Sequence, residues 1–287
     1  MKTILLCTDG SSFAENIYRY GAWFATKFNA QINVLSVADI RSQQVASTNN
    51  LSGSIGLGAS EKLLNELVNL EHERAKLNNQ RARLILQNAG ENLKAEGIEE
   101  FNLIHKTGFL VDYLHEFEDN SDLIVLGKRG EAADFASGHL GANIDRIVRS
   151  SRKPCLVTPI NFKQIERVLV AYDGSLTGKK ILQFLADYPC FKSLEIHLLK
   201  VTKTNSDKTA IAKLDEAKKL LEKAELEPIC SIQEGETEKV IANYITQQDI
   251  SLLLMGAYGH SRIRHLVIGS TTAQLLRGSN IPVLLFR

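Results

Sequence analysis

Residues 3–11 read TILLCTDGS, and residues 167–175 read RVLVAYDGS. In both stretches a mainly apolar run leads directly into Asp-Gly-Ser. Unbroken apolar runs of this length are typical of parallel strands that are buried on both faces of a sheet. One unit of strand and turn therefore occurs twice, near the start of the chain and again past its middle.

Three further pairs of segments repeat in the same order. They are VLSV (34–37) with LLKV (198–201), DLIVLGKRG (122–130) with SLLLMGAYG (251–259), and RIVRSSRKPCLVTP (146–159) with QLLRGSNIPVLLF (274–286). A single similar strand is common by chance, whereas four anchors in one order indicate an internal repeat. The sequence predicts two copies of one domain, at residues 1–160 and 161–287.

Short apolar runs alternate with longer helical patterns in the second copy. The predicted strands are 167–172, 195–201, 228–233, 251–256 and 282–286, and the predicted helices are 176–188, 208–224, 236–248 and 270–279. Such alternation predicts βαβ units with right-handed crossovers. The expected fold is therefore α/β, with two tandem, doubly wound, Rossmann-like parallel-sheet domains of strand order 3-2-1-4-5.

The first copy carries extra material over residues 41–97. Residues 41–60 are rich in Ser, Asn and Gly and are predicted to form a loop. Residues 61–96 form a long, charged helical pattern, and one straight helix of that length would measure about 50 Å. Two interpretations stay open: a helix packed on its own sheet, or an arm that binds a partner. The helix would either project outward or break near Asn78–Asn79.

Composition restricts the environment and the partners. The net charge of +1 provides no overall field for nucleic acid or an anionic membrane. The apolar run at the N-terminus is too short for a signal peptide, and no stretch is long enough for a transmembrane helix. The four cysteines are far apart, which argues against zinc and against a disulfide framework. We expect a cytoplasmic protein without a metal site.

A glycine frame follows the fourth strand of the second copy. Residues 256–272 read GAYGHSRIRHLVIGSTT, with glycines spaced G-x2-G-x9-G before Ser-Thr-Thr. In doubly wound sheets, ligands bind beyond the carboxyl ends of the strands, where the strand order reverses. Gly256 and Gly259 permit positive φ and close approach of the backbone to a ligand. Gly269 opens a helix whose free N–H groups favour phosphate oxygens, and Ser270 and Thr271 add hydroxyl donors.

In these features the chain resembles a tandem universal stress protein, with two such domains in one polypeptide. Nucleotide-binding members of that family carry G-x2-G-x9-G-(S/T), which Gly256, Gly259, Gly269 and Ser270 match without a gap. The resemblance implies an adenine nucleotide alpha hydrolase-like fold and an adenosine pocket at the ends of the first two strands. The predicted cofactor-binding residues are Ala171, Tyr172, Asp173, Val201, Met255, Gly256, Ala257, Gly259, His260, Gly269, Ser270 and Thr271.

The first copy departs from the family pattern. Gly130 and Gly141 are separated by ten residues instead of nine, and Ala142-Asn143 replaces the hydroxyl pair. Glu131 and Asp134 add negative charge where phosphates would lie. Each lost charge-assisted hydrogen bond costs roughly 1.5–3 kcal/mol, so we expect poor ATP binding in this copy. A weaker or different ligand stays open for this copy, because Asp9 and Val37 are identical to Asp173 and Val201 of the second copy.

The resemblance implies a stress-response or regulatory module that holds ATP, ADP or AMP, with or without Mg²⁺, in the second copy. No set of catalytic residues is evident. The alternatives are a slow ATPase or phosphotransferase, and a scaffold that binds no nucleotide. Family members pair their last strands antiparallel, so the resemblance implies a pseudo-dimer within this chain. It also allows a further homodimer and protein partners that remain unidentified.

Overall fold

The structure, a computed structural model, describes residues 1–39, 57–130, 142–204, 207–258 and 269–287. Its strands are β1 (Thr3–Thr8), β2 (Gln31–Asp39), β3 (Phe101–Gly108), β4 (Leu123–Gly127), β5 (Cys155–Thr158), β6 (Arg167–Ala171), β7 (Glu195–Thr202), β8 (Ile229–Glu234), β9 (Leu252–Gly256) and β10 (Val283–Phe286). Its α-helices are α1 (Ala14–Phe28), α2 (Leu57–Ala95), α3 (Leu110–Glu118), α4 (Ala142–Ser150), α5 (Leu176–Asp187), α6 (Lys208–Lys223), α7 (Thr237–Gln247) and α8 (Ser270–Gly278).

These strands form one ten-stranded sheet of order β3-β2-β1-β4-β5-β10-β9-β6-β7-β8. We call β1–β5 with their helices the N-terminal half, and β6–β10 with theirs the C-terminal half. Neighbouring strands within each half are parallel, and each half has the order 3-2-1-4-5 counted from its own first strand. The predicted fold class is therefore confirmed.

The two halves meet at an antiparallel strand pair in the middle of the sheet. Val157 of β5 lies opposite Val283 of β10, and Cys155 lies opposite Leu285. The last strand of each half thus has a partner within the same chain. This is the pairing that the family resemblance implied for a pseudo-dimer.

Aromatic side chains pack the halves together beside this strand pair. The ring of Phe28, at the end of α1, lies 4.6 Å from that of Tyr188 and 5.9 Å from that of Phe191, measured between centroids. The connecting segment is also fixed, because Tyr20 Oη donates to Lys163 O at 3.1 Å and accepts from Lys163 N at 2.9 Å. Burial of these rings therefore adds to the contact made by the strands.

The core lies on both faces of the sheet because the strands are apolar at successive positions. One face is covered by α1, α2, α5 and α6, and the other by α3, α4, α7 and α8. On β6, Val170 points to the first face and Leu169 to the second, and both are fully buried. This alternation follows from the period of two in a strand.

Helix α2 is continuous through Asn78–Asn79, so the break that the sequence allowed is absent. It also begins at Leu57, inside the segment predicted to be a loop; residues 57–60 contain no proline, which would have interrupted helical hydrogen bonding. The remainder of the predicted loop, residues 41–56, lies outside the described residues. In the described ranges, no helix has the length and apolarity needed to cross a membrane.

The two ends of α2 differ in burial. Leu86, Ala89 and Leu93 pack into the core of the N-terminal half, and Ala82 is buried as well. Toward the start of the helix, Leu67, Leu70 and Leu77 are between 45% and 64% exposed. The last turns therefore pack on the sheet, as the first interpretation held, and the earlier turns extend beyond it; partner binding by these earlier turns stays a prediction.

Candidate functional site

A rigid turn follows β6 at the carboxyl edge of the sheet. Gly174 has a φ of +81°, which favours glycine. Ser175 N donates to Asp173 Oδ1 at 2.8 Å, and Ser175 Oγ accepts from Gly178 N at 3.1 Å as the N-cap of α5. One carboxylate oxygen of Asp173 therefore holds the turn in shape, as is usual for Asp in such turns.

The residues that line this edge come from three neighbouring strands. Ala171 of β6, Val201 of β7 and Met255 of β9 all pack on the face covered by α7 and α8. The strands are adjacent because β6 pairs with both β7 and β9. The structure thus brings together side chains that the sequence placed far apart.

The side chain of Tyr172 lies on the other face of the sheet from those of Ala171, Val201 and Met255. Its side chain packs into the core on the opposite face of the sheet and is 4% exposed. Burial raises the pKa of its phenol, and the negative charges of Asp173 and Glu216 raise it further. Only the main chain of Tyr172 therefore lies near the residues on the other face.

Two lysines that no sequence motif singles out approach the same turn. Lys200 Nζ donates to Asp173 O at 2.8 Å. Lys213 of α6 lies over the turn, since a Cβ placed on Gly174 would be 2.8 Å from Lys213 Cδ. Burial lowers the pKa of Lys200; the nearby charge of Asp173 opposes this, and that of Lys213 lowers it further. Like charges drawn together in this way favour an anion beside them.

The start of α8 is fastened to the end of β9. Gly269, its N-cap, donates from N to Ala257 O at 3.3 Å, and Thr272 Oγ1 donates to Gly256 O at 3.2 Å. Ala273 N makes the first helical hydrogen bond, to Gly269 O. Helix geometry leaves the N–H groups of the first turn without an intrahelical acceptor. Ser270 is exposed there, whereas the hydroxyl of Thr272 is used within the protein.

Gly256 does not use the positive φ that glycine permits. It ends a regular strand, and the ladder of β9 with β10 extends through this residue. A Cβ at this position would lie 3.4 Å from Thr177 Cγ2, at the limit of ordinary contact. Gly259 and His260, the other predicted residues of this loop, lie outside the described residues.

The equivalent turn of the N-terminal half has the same backbone and different surroundings. Gly10 has a φ of +73°, and Ser11 N donates to Asp9 Oδ1 at 3.0 Å. A Cβ on Gly10 would lie 2.6 Å from Ile85 Cγ1, so Ile85 covers the turn as Lys213 does in the C-terminal half. The residue equivalent to Lys200 is Ser36.

The carboxylate of Asp9 also lies against the glycine frame of its own half. A Cβ on Gly130 would be 2.5 Å from Asp9 Oδ2. The departures predicted at Glu131, Asp134 and Gly141 lie outside the described residues. An apolar side chain and a serine thus lie beside this turn, where the other half has two lysines.

Other features of the described residues bear on cofactors. Among them, no group of three or more His, Cys, Asp or Glu side chains is arranged to hold a metal ion. All four cysteines are free thiols. Burial raises the pKa of Cys7 and of Cys155 to about 12, so neither is a reactive thiolate at neutral pH.

Comparison with known proteins agrees with this architecture. A sequence model of the universal stress protein family matches residues 1–159 and again 164–287. The universal stress protein Slr1230 of Synechocystis sp. strain PCC 6803 is 56% identical over 287 residues, which is all of both chains.

Solved structures show the same fold along the whole chain. A universal stress protein from Archaeoglobus fulgidus DSM 4304 superposes with a TM-score of 0.72 and 23% identity, covering 99% of this chain and 98% of that one. A putative universal stress protein from Pseudomonas aeruginosa UCBPP-PA14 superposes with a TM-score of 0.64 and 14% identity, covering 100% and 93%.

Proposed function

This chain belongs to the universal stress protein family, and on that premise we propose that its C-terminal half binds an adenine nucleotide, with ATP as the expected ligand. The observation that carries the proposal is the fixed start of α8. Gly269 and Thr272 bind the residues at the end of β9, and Ser270 is exposed beside them, in a glycine frame with the spacing of nucleotide-binding members. Amide groups at a helix N-terminus favour phosphate oxygens.

The lysines beside the Asp173–Gly174 turn support the same ligand. Lys200 and Lys213 provide two positive charges at the edge where β6, β7 and β9 end. A nucleotide phosphate would relieve the repulsion between their ammonium groups. In this proposal Ala171, Val201 and Met255 offer the apolar surface for the adenosine, and Asp173 offers the carboxylate. Gly269, Ser270 and Thr271, with Gly259 and His260, lie at the phosphates.

The N-terminal half, we propose, binds ATP poorly and acts mainly as the structural partner of the other half. Ile85 covers its turn where the other half has Lys213, and Ser36 replaces Lys200. Each removes a favourable environment for phosphate. The domain boundary would fall at residue 160. The protein would act in the cytoplasm as a regulatory module, and partners would recognise whether nucleotide is bound.

The direct test is equilibrium binding of ATP, ADP and AMP to the purified chain, by calorimetry and by thermal shift, with and without Mg²⁺. Binding to the native state alone raises the free energy of unfolding by RT ln(1 + [L]/Kd), and the melting temperature rises with it. Gly259→Val should abolish both the heat of binding and the thermal shift. Gly278→Val is the matched control, because a Cβ at Gly278 meets nothing within 4 Å.

Each outcome decides between the candidate functions. ATP binding that survives Gly259→Val would contradict the position proposed for the phosphates. Steady release of phosphate from ATP by the wild type, lost in Gly259→Val, would favour the slow ATPase. A wild-type chain that binds no nucleotide and carries none after purification would favour the scaffold.

A further inference from the structure

Helix α2 displays leucines at a spacing of seven residues on its exposed part. We call residues 63–84 the arm; its seam leucines are Leu63, Leu70, Leu77 and Leu84. Seven residues make almost two helical turns, so these side chains share one face. Leu70, Leu77 and Leu84 are 60%, 64% and 66% exposed. Leucine at every seventh residue fills one of the two seam positions of a coiled-coil heptad, and on an exposed helix it offers an apolar stripe to a second helix.

The charges of the arm divide at its midpoint. From residue 63 to residue 73 the acidic side chains are Glu66, Glu71 and Glu73, and there is no Lys or Arg, which gives a formal charge of −3. From residue 74 to residue 84 the basic side chains are Arg74, Lys76, Arg81 and Arg83, and there is no Asp or Glu, which gives +4. One end of the arm is acidic and the other is basic.

We propose that the arm binds the arm of a second copy of this chain in antiparallel orientation. With the pairing centred between Glu73 and Arg74, Leu70 of each copy lies alongside Leu77 of the other. The same alignment brings Glu66 beside Arg81, close to the seam, and places the acidic end of each arm along the basic end of the other. The leucine pair, the Glu66–Arg81 pair and the opposite charges of the two ends therefore match in one alignment.

A parallel pair does not have this complementarity. It would place the acidic end beside an acidic end and the basic end beside a basic end, which is unfavourable for charges that face each other. The arm is about 33 Å long at 1.5 Å per residue, or three heptads. Its last turns are held by the body of the protein from Ala82 onward, so the seam leaves the body in a fixed direction.

The first test is sedimentation of the full-length chain over a concentration series. The wild type should form dimers, and Leu70→Gln with Leu77→Gln should weaken dimerisation about a hundredfold by removing the apolar seam. Val68→Gln is the matched control, because Val68 is 52% exposed but lies on the opposite side of the helix. Circular dichroism of the monomers should be unchanged, since all three side chains are exposed.

The second test addresses orientation. Arg81→Glu alone should weaken the dimer about tenfold, and adding Glu66→Arg to the same chain should restore it, because each copy then presents the reversed pair. The wild-type dimer should weaken as salt is added. A wild type that stays monomeric, a leucine variant that dimerises like the wild type, or a double charge variant that stays weak would overturn the proposal.

Discussion

Lys200 and Lys213 distinguish two turns whose backbones are nearly the same. Gly10 and Gly174 have φ values of +73° and +81°, and each follows an Asp that accepts from the next Ser N–H. The charge beside the turn differs, because Ile85 replaces one lysine and Ser36 the other. At the scale of the residue, therefore, electrostatics separates the two halves more clearly than backbone shape.

Removing either lysine should weaken nucleotide binding to the C-terminal half. We expect Lys200→Met to raise the Kd for ATP about tenfold, as for loss of one charge-assisted hydrogen bond. Lys213→Met should have a smaller effect, because its side chain is exposed and screened by water. Calorimetric titration measures both. Lys219→Met, an exposed lysine on the same helix, is the control and should bind like the wild type.

If Lys200→Met and Lys219→Met gave equal affinities, the assignment of Lys200 to the phosphate environment would be wrong. The melting temperature without nucleotide provides a separate check. Lys200 also donates to Asp173 O, so a large fall in that temperature would point to a role in holding the turn.

Sequence could predict some of these residues because they lie in the repeat itself. Asp173 and Val201 each correspond to an identical residue in the sequence of the other copy. Lys213 could not be found in this way, since its contact with Gly174 arises only when α6 packs across the sheet. The orientation of the Tyr172 side chain could not be predicted either. The strand register decides which face a side chain occupies, and the sequence alone does not give the register.

Helix α2 shows how one element combines two functions along its length. Its end is a core helix, with Leu93 fully buried, and its earlier turns are the exposed arm. A helix in water is stabilised mainly by tertiary packing of its apolar face. The packed turns therefore serve as the base from which the exposed turns extend.

Truncation of leucines along α2 should reveal this division. Leu93→Ala should reduce the free energy of unfolding by about 3 kcal/mol, since it leaves a cavity in the core. Leu77→Ala should change it by less than about 0.5 kcal/mol when the protein is dilute enough to be monomeric. Urea denaturation followed by circular dichroism measures both values. Equal losses would show that the arm is packed against the body in solution.

The boundaries of regular elements were the part of the fold most accessible from sequence. In the C-terminal half, the predicted helices and strands agree with the observed ones to within one residue at each end. Apolar runs between turn residues have sharp limits there. The start of α2 was predicted too late, because Ser and Gly typical of loops also occur in its first turn.

At the scale of the whole molecule, the two halves are joined by a strand pair and by contacts between aromatic rings. We call this contact region the joint. The pair β5–β10 makes one sheet of two units, and Phe28 contacts Tyr188 and Phe191 across the joint. An isolated half would expose a mainly apolar edge strand, which invites pairing. The joint is therefore expected to form even without the covalent connection.

Residues 1–160 and 161–287, co-expressed as separate chains, should assemble as a one-to-one complex. Size-exclusion chromatography with light scattering measures its mass. Phe28→Ala should weaken the complex by about 2 kcal/mol, or about thirtyfold, because it removes ring contacts across the joint. Trp23→Ala is the control and should leave the affinity unchanged. The aromatic contact of Trp23 is with Phe24, in the same half. Two fragments that never associate would contradict this view of the joint.

Covalent linkage of the two units also changes what evolution can do with them. In a symmetric pair of separate identical subunits, one gene encodes both binding surfaces, and any substitution appears twice. Here the symmetry of the central strand pair is kept while each unit has its own coding sequence. Ile85 can thus replace a lysine in one unit without cost to the other, and every molecule contains one surface of each kind in a constant ratio.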